Sequence, residues 1–114
     1  HIRVEVTEAA TFRVTMSESL ASVLVANLLK NAFVHADEGG EITVSFTAAS
    51  FEISNTGEHP LDDKRIFERF YQGSKKEGST GLGLALVDSV CKASHLSVTY
   101  RYADGKHVFT VSIQ

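Results

Sequence analysis

One stretch of the chain has the spacing of a long amphipathic helix with two asparagines in its interior. Apolar residues recur at helical spacing from Leu20 to Phe33, which is typical of a helix that turns a wide stripe toward a core. Asn27 and Asn31 are four residues apart, so they project from one side of this helix, at the edge of the stripe. Asparagine is a middling helix former, and an amide at such a boundary needs a hydrogen bond or a polar neighbour. Taken alone, the stretch describes a surface helix that carries two polar residues.

The flanks of this helix predict its limits. Thr15 and Glu18 have the spacing of a capping box, which places the start of the helix there. Gly39 and Gly40 stop the pattern after about Ala36, because glycine ends helices readily.

Alternating apolar and polar residues predict six strands, and a second apolar pattern predicts a largely buried helix from Gly81 to Ala93. A turn at Asn55-Thr-Gly57 ends the fourth strand. Two strands, a helix, two strands, a long connection, a helix and two strands indicate an α+β domain with one mixed sheet and helices on one face. The predicted strands are Ile2–Val6, Phe12–Met16, Glu41–Thr47, Phe51–Ser54, Leu96–Tyr102 and Val108–Ile113.

Residues 58–80 interrupt the regular pattern. They contain the only proline, Pro60, and many charges, with one short helical piece at Asp62–Phe70. Gln72–Thr80 is polar and contains glycine. A connection of this length inside a compact domain is usually a functional lid or a disordered segment.

Composition limits the class of protein. The chain has 114 residues, which suits one domain with a real core, and its net charge of −3 comes without a basic stripe for nucleic acid. No apolar run is long enough to span a membrane. Cys91 is the only cysteine and falls in an apolar helical pattern, so we expect a small core residue in a reducing cytoplasm. A chain that opens on His1 without methionine is expected to be part of a longer protein.

Two further histidines have structural interpretations. His95 ends a helix, where it would complement the helix dipole. His107 lies near the exposed end of a strand and is predicted to be a surface residue.

A glycine loop precedes the second helix directly. The sequence from Gly78 to Gly83 reads Gly-Ser-Thr-Gly-Leu-Gly. Glycines let a backbone approach an anion closely, and helix N-termini present N–H groups to it. The loop lacks the Lys-Ser/Thr of a P-loop and the preceding strand of a dinucleotide site. By itself it fits a phosphate loop or a flexible hinge.

Four motifs occur in a fixed order: Asn-Leu-Leu-Lys-Asn-Ala-Phe-Val-His at 27–35, Asn-Thr-Gly at 55–57, Ile-Phe-Glu-Arg-Phe-Tyr-Gln at 66–72, and Gly-Ser-Thr-Gly-Leu-Gly-Leu-Ala-Leu-Val at 78–87. This set resembles the N, G1, F and G2 boxes of the catalytic ATP-binding domain of bacterial sensor histidine kinases. The resemblance covers essentially the whole chain. It implies one domain over residues 1–114, built as a Bergerat-type two-layer α/β sandwich with a mixed sheet and about three helices on one face. ATP would lie between the first long helix, a lid at about 58–80 and the glycine loop.

The resemblance implies roles for the N-box residues. Asn31 would bind the magnesium ion that bridges the triphosphate, for which an amide oxygen is a suitable hard ligand. Asn27 would line the phosphate side, where related ATPases carry a glutamate that activates water. His35 would lie near phosphate or ribose.

It also implies roles for the lid and the glycine loop. Phe67 and Phe70 would anchor the lid, although their helical spacing also fits core residues. Candidate phosphate partners in the lid are Arg69, Lys75 and Lys76. The residues that would wrap the phosphates are Thr80, Gly81, Leu82, Gly83 and Leu84.

The G1 box departs from the family pattern. Asn55 stands where the family has an aspartate that accepts the adenine amino proton, and an uncharged acceptor is roughly half as strong. Gly57 is retained, whereas His59 replaces the second glycine. Val34 replaces a basic residue that is common after the N-box Asn-Ala.

The activity implied is transfer of the γ-phosphoryl group of Mg-ATP to a histidine on a separate dimerisation domain of the same protein, with a response regulator as an indirect partner. The parent protein could be membrane-bound, without membrane contact by this domain. Without its phosphoacceptor domain the chain should not autophosphorylate. Two alternatives stay open: a degenerate domain that only docks partners, and a Bergerat-type serine kinase.

Overall fold

A mixed sheet and two helices form the part of the chain that the structure, a computed structural model, describes: residues 2–37, 39–68 and 82–113. This confirms the predicted α+β class. The elements in chain order are β1 (Arg3–Glu8), α1 (Glu18–His35), β2 (Glu41–Phe46), β3 (Ser50–Thr56), α2 (Gly83–Ala93), β4 (Leu96–Ala103) and β5 (Lys106–Ile113).

The strands are arranged in the order β1-β2-β3-β5-β4. β1 pairs with β2 in parallel, whereas the other three pairs are antiparallel. Because parallel neighbours need a crossover connection, α1 lies in the link between β1 and β2. β4 and β5 are joined by Asp104 and Gly105, whose φ values are 53° and 72°. Two residues with positive φ suit the right-handed twist of a tight hairpin.

The register gives the sheet one apolar and one polar face. Directly paired residues share a face, so Val44, Ile53, Phe109 and Tyr100 lie side by side. This face packs against both helices in one hydrophobic cluster. Every second residue along the strands points the other way and is nearly always polar, as the alternation predicted.

Helix α1 buries Leu24, Leu28 and Ala32, which are spaced four residues apart. Its N-cap is Ser17, whose Oγ accepts a hydrogen bond of 3.2 Å from the Leu20 N–H. The predicted cap at Thr15 is therefore wrong, because helical backbone begins only at Glu18. A serine directly before that residue is the one placed to bond the first-turn amides.

Two other predicted elements differ from the structure. Phe12–Met16 is not a strand and pairs with none of the described strands; Phe12 and Met16 instead pack on the core as half-buried side chains. The described part of Asp62–Phe70 is a run of turns with a bond of 2.9 Å from Ile66 N–H to Asp62 O. The described residues therefore contain two α-helices, and the expected third is not confirmed.

The helices cover the sheet unevenly. Val4 and Val6 of β1 are 47% and 62% exposed, and they line an open apolar groove with Val25 and Phe33 of α1. This groove lies on the side of α1 opposite to Asn27 and Asn31. Within the described ranges, neither helix combines the length and the apolar character that crossing a bilayer requires.

Candidate functional site

Helix α1 presents a polar stripe beside its core stripe. Asn27, Asn31 and His35 follow one another at intervals of four residues, and all three are half-buried. Asn27 Nδ2 donates a hydrogen bond of 2.8 Å to Val23 O on its own helix. This bond fixes the amide plane and leaves Oδ1 to face outward from α1.

Asn27 Oδ1 lies against the beginning of α2. A Cβ atom placed on Gly83 would come 3.2 Å from this oxygen. The N-cap of α2 is Leu82, which supplies no side-chain cap, and the first N–H groups of a helix have no intrahelical acceptor. The N-box stripe therefore meets a helix N-terminus whose amides suit an anion. Beside it Leu82 is exposed and Leu84 half-buried.

Asn31 occupies the same stripe one turn after Asn27. Its side chain makes no hydrogen bond to any described residue. A half-buried amide without a protein partner in this part of the chain has an oxygen available for a ligand, and such oxygens suit Mg²⁺. The stripe fits a metal–phosphate group in chemistry and in position.

Asn55 belongs to β3 rather than to a turn. The strand continues to Thr56, and the side chain of Asn55 points to the helix side of the sheet, between the paired positions Ile42 and His107. It is 1% exposed, and its Nδ2 donates to Thr56 O at 3.1 Å. No described residue donates to its Oδ1. Asn55 is thus a deeply buried polar group with an oxygen that can accept a hydrogen bond.

The C-terminal ends of α1 and β3 are joined. The N–H of Asp37, two residues after the end of α1, donates at 3.3 Å to the carbonyl oxygen of Thr56, the last residue of β3. Asn31 and His35 therefore approach the same end of the sandwich as Asn55 and Gly57.

Position 57 needs a glycine because the ring of His107 occupies the space where a side chain would lie. A Cβ atom at this position would overlap the imidazole ring at Nε2 and Cδ2. The Gly57 N–H donates to Gly105 O at 3.0 Å, and its carbonyl accepts from Tyr102 Oη at 2.8 Å. By contrast, the side chain of His59 is 89% exposed, so none of the described residues crowds position 59.

His107 was predicted to lie at the surface, and this prediction is wrong. His107 is 6% exposed, and its Nδ1 lies 2.8 Å from Tyr100 Oη. β5 begins at Lys106, two residues before the predicted start, so the alternation continues through His107, Phe109 and Val111 on the helix side. The spacing of two residues between His107, Phe109 and Val111 was the feature of the sequence that could have predicted the burial of His107.

Phe67 packs on the core, which suits either of the two roles predicted for it, lid anchor or core residue. It is half-buried and meets Phe109 edge-on, with ring centroids 6.2 Å apart and planes at 78°. Its neighbour Ile66 is fully buried. The other predicted lid and loop residues lie outside the described residues: Arg69, Phe70, Lys75, Lys76, Thr80 and Gly81.

Comparisons with known proteins agree with this arrangement. A family model described as "Histidine kinase-, DNA gyrase B-, and HSP90-like ATPase" matches residues 16–114. The sensor histidine kinase TrcS of Mycobacterium tuberculosis is 38% identical over 104 residues, which cover 79% of this chain and 20% of that protein. The heme sensor protein HssS of Staphylococcus aureus is 34% identical over 103 residues, covering 85% of this chain and 22% of that protein.

Among solved structures, the mycobacterial sensor histidine kinase MprB aligns with a TM-score of 0.80 and 25% identity, over 98% of this chain and 82% of that one. The chain belongs to the histidine kinase-, DNA gyrase B- and HSP90-like ATPase family. Within it, the chain is the catalytic ATP-binding domain of a histidine kinase. It spans about a fifth of the length of the curated relatives it matches.

Proposed function

We propose that this domain binds Mg-ATP between the polar stripe of α1 and the N-terminus of α2, and donates the γ-phosphoryl group to a histidine on a separate dimerisation domain. The contact between Asn27 Oδ1 and Gly83 carries this proposal. It brings the N-box amides next to N–H groups that attract phosphate.

Each part of the site has one task. Asn31 holds magnesium through its amide oxygen, and the first-turn amides of α2 hold phosphate oxygens. Bound magnesium neutralises charge on the triphosphate. Asn55 accepts a hydrogen bond from the exocyclic amine of adenine through Oδ1. We propose that Lys75, Lys76 and Arg69 reach the phosphates from the lid, as residues of their type do.

Asn27 disfavours water as the acceptor of the γ-phosphoryl group. An amide cannot take a proton, and a general base typically contributes about 10²–10⁴-fold to such a step. Imidazole needs no base, because its neutral nitrogen is already a nucleophile. We propose that the chain is one domain of a cytoplasmic kinase portion, and that the phosphohistidine serves a response regulator.

Calorimetry with and without magnesium tests the binding site. Asn31→Ala should weaken Mg-ATP binding by about tenfold or more, since one metal ligand is lost, and should change metal-free ATP binding little. Ser22→Ala, an exposed polar position of the same helix, is the matched control and should bind like the wild type. Equal weakening for both forms of ATP would make Asn31 a structural residue.

Phosphotransfer is tested by adding the dimerisation domain of the parent kinase in trans with labelled ATP. The expected product is acid-labile and base-stable, as a phosphohistidine is. Acid-stable phosphate would favour the serine kinase alternative. A folded wild-type protein that binds no ATP at millimolar concentration would favour the degenerate docking domain.

A further inference from the structure

Three rings at the end of the β4–β5 hairpin hold both ends of the loop formed by residues 57–61. We infer that this ring cluster, made of Tyr100, Tyr102 and His107, positions the loop and the neighbouring Asn55 for recognition of the adenine base. The inference rests on the proposed function, and it assigns to the three rings a positioning role in that site.

The two tyrosines tether the two ends of the loop to one strand. Tyr102 Oη donates to the carbonyl oxygen of Gly57 at 2.8 Å, and the N–H of Leu61 donates to Tyr100 Oη at 2.9 Å. Residues 58–60 between them are exposed. The loop is therefore fixed at its ends by side-chain hydrogen bonds and free to face solvent in its middle.

The ring of His107 packs against the rings of both tyrosines. Its ring is stacked on Tyr100, with centroids 5.8 Å apart and planes at 26°, and tilted against Tyr102 at 5.2 Å. Its Nδ1 lies 2.8 Å from Tyr100 Oη. In the tautomer protonated at Nε2, Nδ1 accepts the hydroxyl proton of Tyr100, which aims a lone pair of that oxygen at the Leu61 N–H.

The cluster acts on the nucleotide site through two contacts. His107 pairs directly with Asn55 across β3 and β5, and its ring fills the space above Gly57. The ring and the amide that is proposed to read adenine are therefore direct cross-strand neighbours on one face of the sheet, and we infer that the position of one affects the other. Leu61 also precedes Ile66 and Phe67, which pack on the core, so the same hydroxyl holds the first part of the lid segment.

The test uses variants that remove one hydroxyl and keep the ring. Tyr100→Phe and Tyr102→Phe should each weaken Mg-ATP binding by about fivefold, the effect of one neutral hydrogen bond. Neither should weaken binding of magnesium tripolyphosphate, which has no base. Ser112→Ala is the matched control, because it removes the Ser97–Ser112 hydrogen bond of 3.1 Å from the same two strands at the opposite end. It should leave both affinities unchanged.

Titrations followed by NMR can measure both ligands, and they also report on the fold. In nucleotide-free Tyr100→Phe, the Leu61 amide should shift and exchange faster with solvent, while the remaining amides of the sheet keep their protection. Equal loss of affinity for Mg-ATP and tripolyphosphate would show a merely structural role and overturn the inference. Unchanged Mg-ATP affinity in both tyrosine variants would overturn it as well. Failure of the wild-type chain to bind Mg-ATP would overturn the proposed function itself, and this inference with it.

Discussion

Asn27 faces Gly83 so closely that a methyl group on Gly83 would come within 3.2 Å of Asn27 Oδ1. Fifty-five positions of sequence separate the two residues, yet they form the junction between the first and last motifs of the family. Because the contact is made by a side chain that already donates to its own helix, Asn27 cannot move away without breaking that bond.

Gly83→Ala should therefore be tolerated by the fold and harmful to the site. Alanine is a better helix former than glycine by about 1 kcal/mol, which offsets the tight contact, so the free energy of unfolding should stay within about 1 kcal/mol of the wild type. In the Asn27→Ala variant, Gly83→Ala should be more favourable by about 0.5–1 kcal/mol in the free energy of unfolding than it is in the wild type, because the asparagine oxygen that crowds the new methyl group is absent. Urea denaturation of the four proteins measures this coupling. Strict additivity would contradict the contact.

Gly57→Ala should destabilise the domain by about 1–3 kcal/mol, the usual effect of forcing extra volume into a packed region. The new methyl group would overlap the ring of His107, which is buried and bonded to Tyr100. His107→Ala removes the obstacle, so adding Gly57→Ala to that variant should change stability much less. Thermal unfolding of the single and double variants checks this. If Gly57→Ala destabilised the His107→Ala variant as much as the wild type, the cause would be the backbone conformation at residue 57 and not the ring of His107.

Cys91 links stability to alkaline pH. Burial raises the pKa of its thiol from 9.0 to about 11, and the negative charge of Asp88 adds to the shift. Since the pKa is higher in the folded state, the unfolded thiol loses its proton first, and stability falls as pH rises from about 9 to 11. Between pH 8 and pH 10.5 the wild type should lose about 2 kcal/mol more than Cys91→Ala. Parallel loss in both proteins would show that other groups account for the alkaline sensitivity.

His95 strains the end of α2. Its φ is 58°, in the left-handed region that favours glycine, and it follows the C-cap Ser94. His95→Gly should raise stability by about 1 kcal/mol at pH 8. Ala93→Gly, at the last residue of α2, is the control and should destabilise. A loss of stability in His95→Gly would refute the strain.

The sequence predicted the elements whose patterns are strictly periodic, and it failed where the partner of a segment decides its structure. The helix around Asn27 and the last two predicted strands are examples, because the spacing of their apolar residues is enough to predict them. Phe12–Met16 has the alternation of a strand, but alternation reports which side chains are buried and not whether the backbone pairs with a neighbouring strand. Phe12 and Met16 pack on the core without such pairing.

The site was predictable to a similar extent. Motif order predicted Asn27, Asn31, Asn55 and Gly57 as site residues, because a motif is read from residue type and spacing along the chain. His107 could not be found this way, since its role comes from a register across two strands. A one-residue slip in that pairing would send its ring to the polar face.

The N-terminal strand is the least buried strand of the sheet. β2 with β3, and β4 with β5, are joined by short turns, and together they make a four-stranded antiparallel sheet. β1 is the one strand of the described sheet that pairs in parallel, and α1 lies in the connection that this pairing requires. All six residues of β1 are exposed. Elements with few buried contacts open first. Hydrogen exchange along β1 would therefore report the first step of local opening, independently of the nucleotide site at the other side of α1.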